Sequence, residues 1–248
     1  IRSKKYNFTQ ISEQLGFDNV HYFSTQFRKH AKITPSQYYS SIFHPEKNSK
    51  THNIPFSSPP TDWSNIQVLD VSEINWGADT GVTSSFQIVW NEDGFYCHAW
   101  AKEQNIKATF SEPNSYVWLD SCLGFYFKPE EKDPRYFNFE INPNGAIYIG
   151  LGTCISDRLR FLVNDEKSTF RIHTNSKINE WEVFFYIPLS FIQAFFPNYV
   201  LRRGKTIKAN CFKSGSDRFL AHYMSWNPCA GKEQTYHNPN SFGGFKLC

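Results

Sequence analysis

The stretch that most narrows the possible folds is Tyr116–Asn144, YVWLDSCLGFYFKPEEKDPRYFNFEINPN, in which two alternating segments flank one polar turn. Between Asp120 and Lys128, Cys122, Phe125 and Phe127 stand among small or polar residues. From Arg135 to Asn142 the alternation is strict, with Phe137, Phe139 and Ile141 on one side and Asn138, Glu140 and Asn142 on the other. Period two predicts strands. Between them, Pro129-Glu130-Glu131-Lys132-Asp133-Pro134 combines two prolines with four charges, which suits a solvated connection and cannot continue a ladder. The expected unit is a β-hairpin.

Its second strand also carries chemistry. Two carboxamides and a carboxylate in a row, with Trp118 close by in sequence, offer what an array of sugar hydroxyls needs: directional donors and acceptors beside an apolar plane for stacking. A solvated sheet face would give the same pattern.

A chain of 248 residues with 24 Phe has apolar material for one large or two smaller domains. No run of eighteen apolar residues occurs, and the opening Ile1-Arg2-Ser3-Lys4-Lys5-Tyr6 is polar, so no membrane association and no signal peptide is expected. The chain reads as soluble and cytoplasmic. It opens on Ile rather than Met, which points to a fragment of a longer protein. The net charge of +3 hides an asymmetry, because residues 1–50 hold eight Lys/Arg against three Asp/Glu while the remainder holds 18 against 20. The basic excess is N-terminal. The six cysteines (Cys97, Cys122, Cys154, Cys211, Cys229, Cys248) form no CxxC pair and no His/Cys ligand spacing. That argues for reduced, mostly buried thiols, and neither a metal nor another cofactor is expected.

In residues 1–43, Ile11, Leu15 and Phe17 followed by Phe23 and Phe27 give helical spacing, with Gly16 where one helix stops and the next begins. Asp18 or Asn19 can cap the second helix, which turns Val20, His21, Ser24, Thr25 and Arg28 away from Phe23 and Phe27. Thr34-Pro35 starts a third short helix, with Tyr38 and Ile42 packing back. The segment ISEQLGFDNVHYFSTQFRKHAKITPSQYYSSI resembles the second helix-turn-helix of the AraC/XylS family of bacterial transcription regulators. The resemblance implies that the helix from Asn19 to His30 enters a DNA major groove. Val20, His21, Ser24 and Thr25 would then face base edges, and Arg28 and Lys29 phosphates. Lys32 stands where the family usually has Gly, Tyr39 where it has Arg, and the first of the family's two motifs is absent, so the expected DNA binding is weak. A homodimer is expected of the intact parent. A small basic helical module that recognises nothing is the alternative.

Residues 44–62, HPEKNSKTHNIPFSSPPTD, hold four prolines and little that is apolar beyond Ile54 and Phe56, and read as a linker. In 63–248, strand candidates recur at 67–71, 83–90, 95–101, 146–151, 170–174, 181–188, 206–213, 222–226 and 244–247 besides the hairpin, with one helix at 190–196. The fold class is therefore mainly β, an antiparallel β-sandwich preceded by a small all-α helix-turn-helix segment. Taken in order, GFYCHAW, VWLDSC, YFNFEINPNGAIYI, WEVFFYIP, IKANCFK, HYMSWNP and FGGFKL resemble a family 9-like carbohydrate-binding module. The resemblance implies a sugar held between aromatic planes near Trp118 and Tyr236, with polar contacts from Asn138 and Glu140. A carboxylate usual in the family a few residues after the Asp-Ser pair is replaced by Gly124. Trp226 and Lys213 read as structural.

Together these features predict a transcription regulator that binds DNA and a sugar or oligosaccharide. A binding module attached to glycan degradation is the second possibility. Catalysis would need Asp120 and Glu140 to converge, and haem ligation would need Met224 with the distant His98, because His222, two residues before Met224 on the same strand, cannot ligate from the opposite face.

Overall fold

The computed structural model describes residues 6–31, 34–36, 38, 49–59, 62–77, 79–216, 220–229 and 234–248. They fall into a helical unit before residue 49 and a β unit from Ser49 onward. In the helical unit, α1 (Phe8–Gln14) is capped by a reciprocal pair of hydrogen bonds between Asn7 and Gln10. Gly16 then turns the chain at φ 75°, a value that Gly alone adopts without strain. Helix α2 (Val20–Ala31) starts on Asn19, whose Oδ1 accepts from the Tyr22 N–H at 2.8 Å. Phe17, Phe23, Phe27 and Tyr38 pack ring against ring at 5.5–5.8 Å, and Phe23 is buried. Leu15 was expected in this core but is 62% exposed, because it sits at the C-cap of α1, where the helical face is lost. Pro35, Ser36 and Tyr38 are helical, and the Tyr38 N–H donates to the Thr34 carbonyl at 2.9 Å. Lys32, Tyr39 and Ile42 lie outside the described residues.

Among its described residues the β unit has fourteen strands in two sheets. In chain order they are β1 (Thr51–Ile54), β2 (Leu69–Asp70), β3 (Glu73–Gly77), β4 (Thr83–Asn91), β5 (Gly94–Lys102), β6 (Cys122–Lys128), β7 (Tyr136–Ile141), β8 (Ile147–Gly152), β9 (Leu159–Arg160), β10 (His173–Lys177), β11 (Glu180–Pro188), β12 (Thr206–Gly215), β13 (His222–Ser225) and β14 (Gly243–Leu247). The smaller sheet runs β10-β11-β5-β4-β2. The larger runs β1-β14-β12-β6-β7-β8-β9, with β13 beside β12 and β3 beside β13. Period-two alternation sends Phe86, Ile88 and Trp90 from one sheet and Phe125, Phe127, Phe137, Phe139 and Ile141 from the other into one core. Each fully buried Phe contributes about 1.5–3 kcal/mol relative to exposure. Helix α4 (Leu189–Gln193) adds Phe191, 5.6 Å from Phe137.

Four expectations change. The linker reading of 44–62 fails at its centre, since β1 lies there, pairs in parallel with β14 and buries Ile54 completely. A four-residue edge strand next to prolines has too little apolar content to be seen in advance. The same pair makes the sandwich not wholly antiparallel. The strand expected at 170–174 begins only at His173, because helix α3 (Glu166–Thr169) precedes it and Arg171 is left-handed at φ 47°. The helix expected at 190–196 runs from Leu189 to Gln193 and is therefore not the sandwich's only helix. Of the cysteines, Cys97, Cys122 and Cys211 are buried, whereas Cys154, Cys229 and Cys248 are half-buried; all six are free thiols. Among the described residues no helix is long and apolar enough to cross a membrane.

Candidate functional site

The polar face of β7 is not solvated. Asn138 and Asn142 are fully buried and Glu140 is 5% exposed. Loops cover this face and are tied to it. Asp120 Oδ2 accepts from the backbone N–H groups of Thr109 and Phe110 at 2.8 and 2.9 Å, and from Asn142 Nδ2 at 2.9 Å. The Asn142 amide also donates to the Phe110 carbonyl at 2.7 Å and accepts from the Ala146 N–H at 3.0 Å. These bonds fix the 3-10 turn Val117–Leu119, which presents Trp118 half-buried, edge-on to Tyr148 at 5.0 Å.

Trp118 forms one wall of a cleft of about 570 Å³, a volume suited to a small ligand. Glu140 and Gly124 lie on its floor, and Trp76, Tyr223 and Tyr236 on another wall. Trp76 and Tyr223 stack at 5.4 Å with 24° between planes. Tyr236 sits 4.2 Å from Phe212 and 4.9 Å from Trp76, and its hydroxyl donates to the Lys213 carbonyl at 3.0 Å, so its ring is braced rather than free.

Glu140 is held through one oxygen. Its Oε1 accepts from Tyr126 Oη at 2.5 Å and from Asn138 Nδ2 at 2.8 Å, and no described residue bonds Oε2. Burial raises the Glu140 carboxyl above its ordinary range, against the opposing pull of the Tyr126 and Asn138 bonds and the Arg158 charge. Asn138, expected to reach a sugar, stands behind the wall instead. Its Oδ1 accepts from Arg158 Nη2, and a Cβ on Gly150 would come within 2.5 Å of that oxygen, so only Gly leaves room for this pair. Gly124 does not leave the site without a carboxylate. It is the register partner of Glu140, and a Cβ there would lie 3.8 Å from Glu140 Cγ, so Glu140 on the neighbouring strand is the cleft's one carboxylate among the described residues.

Several cleft residues were not singled out from the sequence. Trp76 is on β3, which is too exposed to be read as a strand. Arg158 and Arg160 flank Leu159 in the alternating Arg-Leu-Arg-Phe, a pattern that could have revealed β9. Arg158 donates to the carbonyls of Gly152 and Tyr136 at 3.3 and 3.2 Å and lies over the Tyr136 ring at 4.4 Å. His237, also on the wall, pairs through Nδ1 with Tyr136 Oη at 3.0 Å; burial, then the Arg158 charge, pushes its pKa down to about 3, so it is neutral.

The pairs considered for other chemistry do not assemble. Asp120 is fully buried in the loop network and off the cleft wall, so it does not face Glu140 across a substrate space. His98, the histidine that haem ligation would need besides Met224, has its ring nitrogens engaged by Gln87 Oε1 at 3.2 Å and Glu182 Oε2 at 2.8 Å, and His222 is engaged by Leu220 O and Lys213 Nζ, each at 2.9 Å. Lys213 and Trp226 are buried, as a structural role requires.

In the helical unit, α2 presents His21, Thr25 and Lys29 exposed along one row, with Val20, Ser24 and Arg28 half-buried in the next, both away from buried Phe23. The Thr25 hydroxyl donates to the His21 carbonyl at 2.9 Å, so towards an outside partner it acts as an acceptor.

Residues 60–247 match the model of carbohydrate-binding family 9, and residues 1–39 match that of the bacterial regulatory helix-turn-helix proteins of the AraC family. A search of curated proteins returns no match. Among solved structures, a candidate carbohydrate-binding protein from Bacteroides uniformis is 26% identical with a TM-score of 0.68, over 81% of this chain and 100% of that one. A family 9 module from Caldicellulosiruptor kristjanssonii, solved with cellotriose, has the same fold at 13% identity and TM-score 0.57, over 80% of this chain and 93% of its own. A family 9 module from the same organism, solved with glucose, gives 15% identity and a TM-score of 0.55, over 80% of this chain and 96% of its own. With a family match over more than half its length, the chain belongs to carbohydrate-binding family 9 and carries an AraC-type helix-turn-helix segment ahead of that domain.

Proposed function

We propose that this protein is a cytoplasmic DNA-binding transcription regulator whose family 9 domain binds a saccharide in the Trp118 cleft and thereby senses it. The observation that carries the reading is the cleft: a fixed tryptophan plane beside a buried carboxylate with one oxygen unused. A pyranose presents an apolar face to stack on Trp118, while a ring hydroxyl donates to Glu140 Oε2 and another accepts from Arg158. Tyr126 and Asn138 hold the carboxylate in place, and Tyr236 braces the Trp76 wall. The related modules solved with cellotriose and glucose make neutral sugars the first ligands to test.

On the DNA side, His21, Ser24, Thr25 and Val20 read base edges and Arg28 and Lys29 meet phosphates, with charge supplying most of the affinity. A sensing role is supported by the way the chain enters the sandwich. The Lys50 N–H donates to Asn227 Oδ1 at 2.8 Å, and Asn227 Nδ2 donates to the Ser241 carbonyl at 3.0 Å. Next in sequence, Phe242 packs edge-on against Tyr136 at 5.4 Å and against Tyr126, which lines the cleft, at 6.5 Å. The test is a titration of the full chain against duplex DNA at two ionic strengths, with and without saccharide. Binding that weakens steeply with salt and shifts when sugar is added is expected. DNA affinity indifferent to every sugar would remove the sensing role, and no binding even at low salt would remove the DNA role.

A further inference from the structure

The charges around the cleft do not balance. Among the described residues that line it, the ionised groups are Arg158, Arg160 and Glu140, two cations against one carboxylate. Glu140 is at the floor, committed through Oε1 to Tyr126 and Asn138, and it forms no ion pair with either arginine. Arg158 donates through Nη1 and Nη2 to two backbone carbonyls and the Asn138 amide oxygen, none of which neutralises it, while its Nε–H is buried without a partner among the described residues. Arg160 is exposed, makes no ion pair with a described residue, and rests against aromatic rings. Its guanidinium carbon lies 5.5 Å from the Tyr116 centroid, 5.7 Å from Trp118 and 5.4 Å from Tyr148. A guanidinium held over ring faces and bonded to the Tyr148 side chain has further N–H donors of its fork left for a planar anion, and it lies over the ring of Trp118, on which a pyranose would stack.

We infer that the cleft selects acidic saccharides, hexuronates or chains ending in one, with the sugar ring on Trp118 and its carboxylate on Arg160. This rests on the reading of the cleft as a saccharide site and names the class of sugar that it takes. A neutral hexose offers Arg160 only hydroxyl oxygens, whereas a hexuronate of the same stereochemistry adds one charge-assisted, potentially bidentate contact. One such contact corresponds to about a tenfold gain in affinity. Glu140 repels an anion at the floor, so the carboxylate is directed towards the Arg160 side and only one orientation of the ring satisfies both charges.

The experiment is calorimetric titration of the full chain with matched pairs, D-glucuronate against D-glucose and D-galacturonate against D-galactose, together with short oligomers of each, at low and high salt. The acidic member of at least one pair is expected to bind about tenfold more tightly at low salt. That ratio should shrink at high salt, because an exposed ion pair is screened. In Arg160→Gln the acid-to-neutral ratio should fall towards one, with circular dichroism confirming the fold; an exposed side chain on a two-residue edge strand is not needed for folding. Equal or tighter binding of the neutral sugars, or an acid preference that survives in Arg160→Gln, overturns the inference while leaving the saccharide site standing. If no member of either class binds, the saccharide reading itself falls and the inference with it.

Discussion

Replacing Lys213 by Met should cost the sandwich about 3–5 kcal/mol, the usual penalty for breaking a buried ion pair from one side. Lys213 is fully buried, and its Nζ donates to Glu103 Oε2 at 2.9 Å, to the Ser214 carbonyl at 2.8 Å and to His222 Nε2 at 2.9 Å. Glu103 is 5% exposed and otherwise receives the Trp181 indole N–H at 2.6 Å. Met fills most of the lysine volume, so the cavity contribution is small and the loss comes from an orphaned carboxylate. On a domain of this size each kcal/mol moves Tm by about 2–4 °C, which gives a fall of roughly 6–20 °C. Differential scanning calorimetry of the full chain reads it. The double variant Lys213→Met/Glu103→Gln should recover most of the loss, because a neutral amide can keep the Trp181 bond without a counter-ion. A single variant that loses less than about 1 kcal/mol, or a double variant no more stable than the single, would refute the claim that this pair is electrostatically interdependent.

Two further outcomes follow from groups whose protonation is tied to their surroundings. His52 on β1 is 5% exposed, lies edge-on to Trp226 at 6.3 Å, and burial lowers its pKa to about 4. Between about pH 6.5 and 4 the unfolded chain therefore binds a proton that the folded chain refuses, and stability falls as pH is lowered, by up to about 1.4 kcal/mol per pH unit. His237 acts in the same direction, and His52→Leu should flatten the His52 share of that slope in denaturant titrations taken across this range. Tyr126→Phe removes the 2.5 Å donor that pulls the Glu140 pKa down, so the midpoint of any pH dependence of saccharide binding should move upward, whereas an unchanged midpoint would mean that Glu140 does not report on the ligand.

The hairpin of β6 and β7 was legible because strict alternation between Arg135 and Asn142 admits one secondary structure, and because Phe137, Phe139 and Ile141 could only face a core. Trp118 and Glu140, expected together, line one cleft. What alternation could not tell was that the opposite face of β7 is covered: that depends on Asp120 and Asn142 tying down residues ten to thirty positions away in sequence. The same long-range pairing hid that Gly124 lies against Glu140, since the two meet only through strand register. Strand β1 was missed because its stability comes from β14, almost two hundred residues on, rather than from its own composition. Arg158 and Arg160 were missed because their alternation with Leu159 and Phe161 spans only four residues, too few to stand out as a strand beside longer ones.

The most direct test of the saccharide cleft is calorimetric titration of the wild-type chain and of Trp118→Ala with neutral and acidic sugars, both proteins being checked for fold by circular dichroism. The wild type should bind at least one sugar weakly with one site per chain, and folded Trp118→Ala should give no measurable heat with it. A folded Trp118→Ala chain that binds as the wild type does, or a wild type that binds nothing, would contradict the account.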